Sequence, residues 1–292
     1  MKFKIRFDEL NNTDLHMHTT FSDGHDDPED MIKAAISKGM YTIGISDHSY
    51  TFFDDSYCIA KNRAKEYKDK INELKEKFKA DDINIYLGIE QDYYSTEPTY
   101  DYDYVIGSAH YVKKNIKHAP LMQAYLHAAE SDISYTRAKF LPCGIIIFKD
   151  AAYIPVDETP DLLTEAVRLF YNGDIYALAE DYFMTVSDVL DKTGADIVGH
   201  FDLITKFNEK YDLFDTTHPR YVQAWKKAAD HLLAKGALFE INTGAISRGW
   251  RTCPYPSDEI IRYIIGNGGR FIYSSDAHSA SNIAFYFDRL HY

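Results

Sequence analysis

Residues 14–24 read D-L-H-M-H-T-T-F-S-D-G, and the rest of the chain is organised around this stretch. Side chains two residues apart on an extended segment point to the same face, so His16 and His18 lie together while Met17 faces the other way. Imidazole pairs suit zinc, iron or manganese, and nearby carboxylates favour the harder of these ions. An H-x-H motif alone is a weak signal, so its interpretation as a metal site depends on what later strands supply.

Length and charge limit the class of protein. The chain has 292 residues, and an α/β barrel of this size is commonly a single domain. The formal net charge of −13 argues against binding of long nucleic acids, because proteins that do so normally present a basic face. A small anionic substrate remains compatible with this charge, because bound metal ions would reverse the local field.

Cysteine usage and the first residues favour a cytoplasmic protein. Cys58, Cys143 and Cys253 lie far apart without a C-x-x-C spacing, which fits a reducing compartment. The initial MKFKIRFDEL lacks the apolar run of a signal peptide, and no later segment reaches transmembrane length. We therefore expect no membrane partner.

Seven short apolar strands separated by helices are predicted along the chain. The first strand contains the opening motif, and the others are predicted at 41–46, 83–89, 103–108, 195–199, 237–241 and 270–274. Helices are predicted at 28–38, 60–79, 158–171, 174–193, 218–235 and 257–266. Asp27 is expected to cap the first helix, with Pro28 at its first position and Gly39 in a left-handed conformation at its end. This alternation is typical of a parallel α/β fold.

Six of the seven strands end in a side chain that can bind a metal ion. These strand ends carry His16 with His18, His48, Glu90, His110, His200, and Asp276 with His278. In α/β barrels the catalytic groups lie at the C-terminal ends of the strands, where side chains from different strands meet. Any one of them could be a lone polar residue that closes a strand. Taken together, they predict a polynuclear metal site.

These motifs resemble the PHP (polymerase and histidinol phosphatase) superfamily. The matching pieces are the opening motif (14–24), S-D-H (46–48), G-I-E (88–90), G-S-A-H (107–110), G-H-F-D (199–202) and S-D-A-H (275–278). The chain most resembles the histidinol-phosphatase branch, through S-D-H-S-Y-T (46–51), L-G-I-E-Q-D-Y-Y (87–94), D-Y-V-I-G-S-A-H-Y-V (103–112), Y-I-P-V-D-E (153–158) and E-I-N-T-G (240–244). The resemblance extends over nearly the whole chain. It implies a distorted seven-stranded (β/α)7 barrel with parallel strands and a metal site at the C-terminal rim.

The resemblance also implies three divalent metal ions, of Zn, Mn or Fe, and their ligands. The first ion would be held by His16, His18, Glu90 and Asp276. Glu90 would bridge to a second ion, completed by His110 and His200. The third ion would be held by Asp23, His48 and His278. His25 is the alternative to Asp23, since other family members use a histidine in this loop.

The chain departs from the family pattern at residues 115–149. Joining Lys114 directly to Asp150 gives uninterrupted family-like sequence, so we predict an insertion within a single PHP-type domain over 1–292. It leaves from the catalytic rim and includes a predicted helix at about 121–130. A lid, an oligomer contact and an excursion without a catalytic role are all compatible, and His118 and His127 are expected at the surface. The short stretch after the last motif predicts a short or missing final barrel helix.

The resemblance implies hydrolysis of L-histidinol phosphate, a phosphate monoester, in histidine biosynthesis. Clustered metal ions accelerate such reactions by activating water and by stabilising charge on the phosphoryl and leaving oxygens. Catalytic roles are expected for Glu90, Asp276, His200 and Arg248. We prefer Arg248 to Arg251 as the phosphate-binding cation, and both follow the sixth strand.

Other side chains are expected to contact the rest of the substrate. Asn242 is expected to assist the arginine. Asp92 would accept the substrate ammonium group, and Tyr94, with Tyr93, would form a flat wall for its imidazole. Asp202 is expected to orient a metal ligand rather than to bind metal.

Three other functions remain open. A PHP-type phosphoesterase acting on another small phosphate ester or a nucleotide is one, although the acidic balance and the lack of a basic aromatic groove argue against nucleic acid. A metal-binding protein made inactive by the insertion is the second. A metal-dependent amide or lactone hydrolase is the third, and the two arginines favour phosphate over it. The oligomeric state is not predicted.

Overall fold

A computed structural model describes residues 12–119, 122, 139–141 and 144–292. The described strands, in chain order, are β1 (Thr13–Asp14), β2 (Thr42–Ile45), β3 (Asn84–Asp92), β4 (Tyr104–Ser108), β5 (Tyr111–Asn115), β6 (Lys139–Phe140), β7 (Ile146–Phe148), β8 (Ala151–Pro155), β9 (Ile197–Val198), β10 (Leu238–Asn242) and β11 (Arg270–Ser274). They form two sheets.

The larger sheet contains seven strands in the order β1-β2-β3-β4-β9-β10-β11, and every pairing in it is parallel. Its two edges meet at a parallel bridge between Met17 and Ala277, where the His18 amide donates to the Ala277 carbonyl at 2.9 Å. The predicted seven-stranded parallel α/β barrel is therefore confirmed. All strands run in one direction, so their carboxyl ends share one rim.

Helices follow most of the barrel strands. Within the described ranges the α-helices are Pro28–Ser37, Ala64–Lys77, Pro160–Tyr171, Ile175–Ser187, Val189–Thr193, Asn208–Tyr211, Pro219–Ala234, Gly244–Ser247 and Asp258–Gly266. The first two bury one face each against strands β2 and β3, through side chains such as Met31, Ile71 and Leu74. None of the helices in the described ranges has the length and apolar character required to cross a membrane.

An apolar layer fills the inside of the barrel. It consists of Leu15, Tyr104, Ile106, Ile197, Leu238 and Ile272. A Cβ added to Gly44 or Gly88 would lie 2.0 or 2.2 Å from the Tyr104 side chain, so this ring needs both glycines. The layer excludes water from below the rim, and polar side chains at the strand ends therefore lie in a partly dry site.

The smaller sheet is antiparallel, in the order β5-β8-β7-β6, and the sequence did not predict it. It begins at the rim, where the Val156 amide donates to the His110 carbonyl at 2.9 Å. Its strands β6 and β7 belong to residues 115–149 and pair with each other, and β7 also pairs with β8, which follows that segment. The pairing of β5 with β8 crosses residues 116–150 and leaves no local pattern, whereas β7 and β8 form a hairpin joined by Lys149 and Asp150. His127 and Cys143 lie outside the described residues, as does the predicted helix at 121–130 except for Met122.

Several predicted boundaries differ from the structure. Asp27 precedes the first helix in an extended conformation, but its carboxylate accepts from the Thr20 hydroxyl at 2.6 Å instead of capping the helix. The helix predicted at 174–193 is interrupted at Asp188, whose carboxylate accepts from the Tyr93 hydroxyl at 2.9 Å, a tertiary contact that periodicity does not reveal. After β11, the described residues contain two 3₁₀ turns, Ala280–Asn282 and Phe287–Arg289, and no α-helix.

Candidate metal centre

The rim brings together all nine side chains that were predicted as metal ligands: His16, His18, Asp23, His48, Glu90, His110, His200, Asp276 and His278. Most are buried, because they project from strand ends over the apolar layer. Asp23 and His278 are the most exposed, at 32% and 20% of their side-chain surface. Residues that are far apart in the chain thus form one compact group.

Glu90, at the carboxyl end of β3, lies at the centre of this group. Its Oε2 lies 2.8 Å from His48 Nδ1 and 3.2 Å from His16 Nε2. Its Oε1 lies 3.0 Å from His200 Nε2 and 3.4 Å from His110 Nε2. His18 Nε2 also lies 3.5 Å from Oε2. The two carboxylate oxygens therefore face different imidazoles, which is the arrangement needed for a carboxylate that bridges two ions.

The donor atoms form three overlapping sets, and within each set they lie within 4.8 Å of one another. The sets are His18, Asp23, His48 and His278; His16, His18 and Glu90; and His48, Glu90 and His110. Several of these buried atoms, including His16 Nε2, His48 Nδ1 and Glu90 Oε2, have no hydrogen-bond partner among the described residues. Buried polar atoms are normally satisfied, so nitrogen and oxygen atoms left facing one another fit divalent metal ions.

Asp276 joins this group from the end of β11. Its Oδ1 lies 3.2 Å from His18 Nε2, and its Oδ2 accepts from Arg248 Nη2 at 3.0 Å. The backbone of Asp276 has a φ of 50°, a left-handed conformation that is uncommon outside glycine and clusters at functional sites. A Cβ on Gly244 would lie 2.7 Å from Asp276 Oδ2 and 2.8 Å from Arg248 Nη2, so glycine permits this close approach.

The loop after β1 supplies Asp23. The buried carboxylate of Asp47 holds this loop by accepting from the Thr19 amide and hydroxyl, both at 2.7 Å. Asp23 Oδ2 then lies 3.2 Å from His278 Nε2. His25 is exposed and contacts this region through its backbone amide, which donates to the His278 carbonyl at 2.7 Å. The structure therefore brings Asp23, and not the side chain of His25, to the group.

Burial and mutual charges shift the pKa values within the group. Burial alone lowers the pKa of His16, but the charges of Glu240 and Glu90 raise it well above its usual value. Burial would raise the pKa of Glu90, but the surrounding imidazoles hold it well below its usual range. Burial, together with His278 and His48, lowers the pKa of His18 to about 3, so this imidazole stays neutral and keeps a lone pair for a metal ion.

Two carboxylates behind the group orient its histidines, and sequence reasoning missed both roles. Glu240 Oε2 lies 2.9 Å from His16 Nδ1, and its Oε1 accepts from the His200 amide at 2.6 Å. Asp92 Oδ2 lies 3.3 Å from His110 Nδ1. Each contact leaves the Nε2 atom of the ring facing Glu90, as expected for carboxylates that orient ligating histidines. Glu240 opens the E-I-N-T-G motif, and this was the signal available in the sequence.

A cavity of about 320 Å³ opens over the group. Besides metal-group side chains and Arg248, its lining includes Asp54, Ser56, Tyr57, Tyr111, Asp157, Glu158 and Lys206. Burial raises the pKa of Asp157, but the charges of Lys206 and of two nearby histidines outweigh this effect and lower it. None of these seven residues was predicted to have a role, although Asp157 and Glu158 belong to the Y-I-P-V-D-E motif.

Other predicted substrate-binding residues do not line this cavity. Arg251 is buried elsewhere, with its guanidinium on the Thr205 hydroxyl and on Cys253 Sγ. Asn242 is fully buried and donates to Glu240, and Tyr94 packs edge-on against Tyr153.

The predicted role of Asp92 differs from its position, because this buried carboxylate lies behind His110 rather than in the cavity. Asp202, which was expected to orient a ligand, accepts instead from the Ser257 amide at 3.0 Å. Asp92 contacts the residue His110 that follows β4, and Asp202 contacts Ser257 at the start of the helix Asp258–Gly266. Such contacts between distant segments are defined only in the folded chain.

A model of the PHP domain family matches residues 14–244. A curated relative from Schizosaccharomyces pombe, named "Probable histidinol-phosphatase", is 23% identical over 275 residues, which cover 87% of this chain and 76% of the relative. A relative of the same name from Deinococcus radiodurans is 25% identical over 289 residues, covering 94% of this chain and 89% of the relative.

Two solved structures share the fold. A candidate histidinol phosphatase, hisK, from Listeria monocytogenes superposes with a TM-score of 0.71 at 19% identity, covering 96% of this chain and all of that one. Histidinol phosphate phosphatase from Lactococcus lactis, solved with zinc, L-histidinol and phosphate, superposes with a TM-score of 0.57 at 17% identity. That match covers 92% of this chain and 86% of the other.

Proposed function

Since this chain belongs to the PHP domain family, we propose that it is a metal-dependent phosphatase that hydrolyses L-histidinol phosphate to L-histidinol and phosphate. The observation that carries the proposal is the position of Glu90, with two histidines at Oε1 and three at Oε2, beneath a small cavity that also contains Arg248. Two relatives bear the name of this activity, and the Lactococcus lactis structure was solved with both products.

The proposed centre holds three divalent ions, of zinc, manganese or iron. His16, His18, Glu90 and Asp276 would hold the first; Glu90, His110 and His200 the second; and Asp23, His48 and His278 the third. When bound, such ions activate water and stabilise the charge that develops on the phosphoryl and leaving oxygens. Phosphate-monoester hydrolysis needs this help, because the uncatalysed reaction is among the slowest known.

The protein side chains would bind and orient the ester. Arg248 approaches the cavity beside Asp276 and His278, and its remaining guanidinium N–H groups suit phosphate oxygens. Glu90, Asp276 and His200 would keep the reacting centre in place, since each is fixed by contacts within the rim.

The cavity also suits the other end of this substrate. A volume of about 320 Å³ accommodates a small ester. Asp54 and Glu158 give the lining two carboxylates besides those of the metal group and besides Asp157, which pairs with Lys206, and this favours a substrate whose non-phosphate end is cationic. Tyr57 adds an aromatic face, with its ring centroid 4.9 Å from that of His48.

The deciding experiment is phosphate release from L-histidinol phosphate by the purified protein, before and after chelation and after restoring zinc or manganese. We expect chelator-sensitive turnover well above that on nucleotides or generic phosphate esters. Preferred turnover of another ester would reassign the substrate. A metal-loaded protein that is inactive on every ester would contradict the proposal and favour an inactive metal-binding protein.

A further inference from the structure

One loop supplies several of the residues that line the cavity over the metal group. All residues of this loop, 49–60, are described, and none of them lies in a helix or a strand. The loop contributes Asp54, Ser56 and Tyr57 to the cavity lining. A segment without regular backbone hydrogen bonds depends for its conformation on the scaffold against which it packs. The neighbours of the loop therefore decide where these side chains lie.

The antiparallel sheet is one of these neighbours, and its two faces have different partners. Ile146 of β7 pairs with Tyr153 of β8, and Phe148 pairs with Ala151, so the side chains of each pair share a face. Together with Phe53 of the loop, these side chains form one apolar cluster. The alternate residues on the opposite face, such as Ile147, Ala152 and Ile154, belong to the main core of the protein. The sheet is thus anchored from behind and supports the loop in front.

Aromatic contacts join the loop to this face of the sheet. The Phe53 ring stacks on that of Tyr153, with centroids 3.8 Å apart. The Phe52 ring meets that of Phe148 edge-on at 5.2 Å. Phe53 is only 2% exposed, so the loop is joined to the sheet by a contact within the protein interior. These two phenylalanines directly precede Asp54 in the chain, and their packing therefore sets the position of its carboxylate.

A hydrogen bond from the same sheet reaches this carboxylate. The Tyr111 hydroxyl of β5 donates to Asp54 Oδ2 at 2.8 Å, while Asp54 Oδ1 accepts from the Ser56 amide at 3.1 Å. Tyr57 lies on the other side of Asp54, towards the metal group, with its ring 4.9 Å from that of His48. The sheet, the loop and the cavity lining are therefore continuous.

The insertion provides one strand of this support. β6 and β7 lie within residues 115–149, whereas β5 and β8 flank that segment. Without the insertion, the sheet would be the two-stranded hairpin of β5 and β8, and Phe52 would lose its contact with Phe148. Two-stranded hairpins are marginally stable in water, and a third strand with an apolar face stabilises them. The described part of the insertion thus packs beneath the loop that lines the cavity.

We propose that the inserted strand β7 tunes the selectivity of the cavity for the non-phosphate end of the ester, with Phe148 as the positioning residue. Phe148 does not line the cavity, so it acts through Phe52 and the loop. Asp54 and Tyr57 would contact the non-phosphate end, while the phosphoryl group binds at the metal centre. The inference deepens the proposed phosphatase function and rests on it for the identity of the substrate.

The test compares zinc-loaded wild type with Phe148→Ala, Phe148→Leu and Phe52→Ala. Phe170→Ala is the matched control, since Phe170 is also half-buried, packs against the main core and does not line the cavity. Hydrogen exchange followed by mass spectrometry measures the protection of amides 49–60. KM is measured for L-histidinol phosphate and for methyl phosphate, whose non-phosphate end is a single methyl group. Zinc content, melting temperature and the dissociation constant of inorganic phosphate are also recorded.

In Phe148→Ala we expect amides 49–60 to exchange about two- to tenfold faster, because one aromatic pair that holds the loop is lost. KM for L-histidinol phosphate should rise by a similar factor, with zinc content, phosphate affinity and KM for methyl phosphate unchanged. Phe52→Ala should reproduce this pattern, and Phe148→Leu should recover part of the loss. Phe170→Ala should lower the melting temperature and leave both the loop exchange and KM unchanged.

Unchanged exchange of the loop in Phe148→Ala would overturn the inference. An equal rise in KM for the two esters would also overturn it, because the effect would then not concern the non-phosphate end. So would the same changes in Phe170→Ala, since they would follow from lower stability alone. If wild type does not hydrolyse L-histidinol phosphate, the proposed function fails, whereas faster loop exchange with unchanged phosphate affinity in Phe148→Ala would still support the positioning role.

Discussion

Glu240 Oε2 lies 2.9 Å from Nδ1 of His16, and both side chains are fully buried. The other nitrogen of this imidazole, Nε2, lies 3.2 Å from Glu90 Oε2. One carboxylate therefore orients the ring from behind while another meets it at the centre. Such carboxylate–histidine pairs fix the tautomer and the direction of the lone pair that a metal ion would use.

We expect Glu240→Gln to weaken zinc binding by about 10- to 100-fold, because its single amide oxygen accepts from the His200 amide and leaves an NH2 group, a donor, facing His16 Nδ1. The fold should remain, since an amide of the same shape still accepts from the His200 amide. Competition with a chelator of known affinity measures the change. Glu73→Gln, on an exposed side chain, is the control, and equal zinc affinity in the two variants would contradict the prediction.

Asp23→Asn is expected to reduce bound metal by one ion per chain, while His25→Ala is expected to retain the full content. Asp23 Oδ2 lies 3.2 Å from His278 Nε2, whereas the His25 side chain is exposed to solvent. Elemental analysis of the two purified variants beside wild type gives the answer. Loss of one ion in His25→Ala, with full metal content in Asp23→Asn, would show that His25 and not Asp23 completes the third site.

The two arginines of the loop after β10 provide a matched pair. Arg248→Met should raise KM for the phosphate ester about tenfold or more, because one charged contact to phosphate is lost. Arg251→Met should leave KM unchanged and lower the melting temperature, because it leaves the buried carboxylate of Asp202, 3.8 Å away, without its cation. Steady-state kinetics and thermal unfolding separate the two effects. If KM rises for Arg251→Met and not for Arg248→Met, Arg251 and not Arg248 would be the phosphate-binding residue.

Metal affinity is expected to rise with pH. In the metal-free protein, burial lowers the pKa of His110, but Glu90 and Asp92 outweigh burial and raise this pKa well above its usual value. The pKa of His16 is likewise raised well above its usual value, by Glu240 and Glu90. These imidazoles hold protons near neutral pH, and a metal ion must displace them. Zinc affinity should therefore increase between about pH 6 and pH 8, with proton release.

Calorimetry in two buffers that differ in ionisation enthalpy measures the protons released on zinc binding. His231, an exposed histidine near the end of a helix, offers a control, since His231→Ala should leave the proton count unchanged. An affinity that is independent of pH, with no proton release, would contradict the shifted pKa values.

Much of the fold followed from local patterns. The seven barrel strands were predictable because each is a short apolar run that a helical segment separates from the next. The pairing of β5 with β8 was missed because it crosses the intervening segment 116–150, and pairing over that distance has no local signature. The hairpin of β7 and β8 is local, but it was not predicted either. The break at Asp188 was missed because it coincides with a tertiary contact to Tyr93, the residue after β3.

The sequence by itself determined the order of strands and helices and which donor atoms each strand end carries, because both are local properties of the chain. Only the tertiary structure decided that Glu240 faces His16, that Arg248 and not Arg251 enters the cavity, and that Lys206 joins it. These outcomes depend on the directions in which side chains leave a closed rim, and those directions arise only when segments more than a hundred residues apart are packed together.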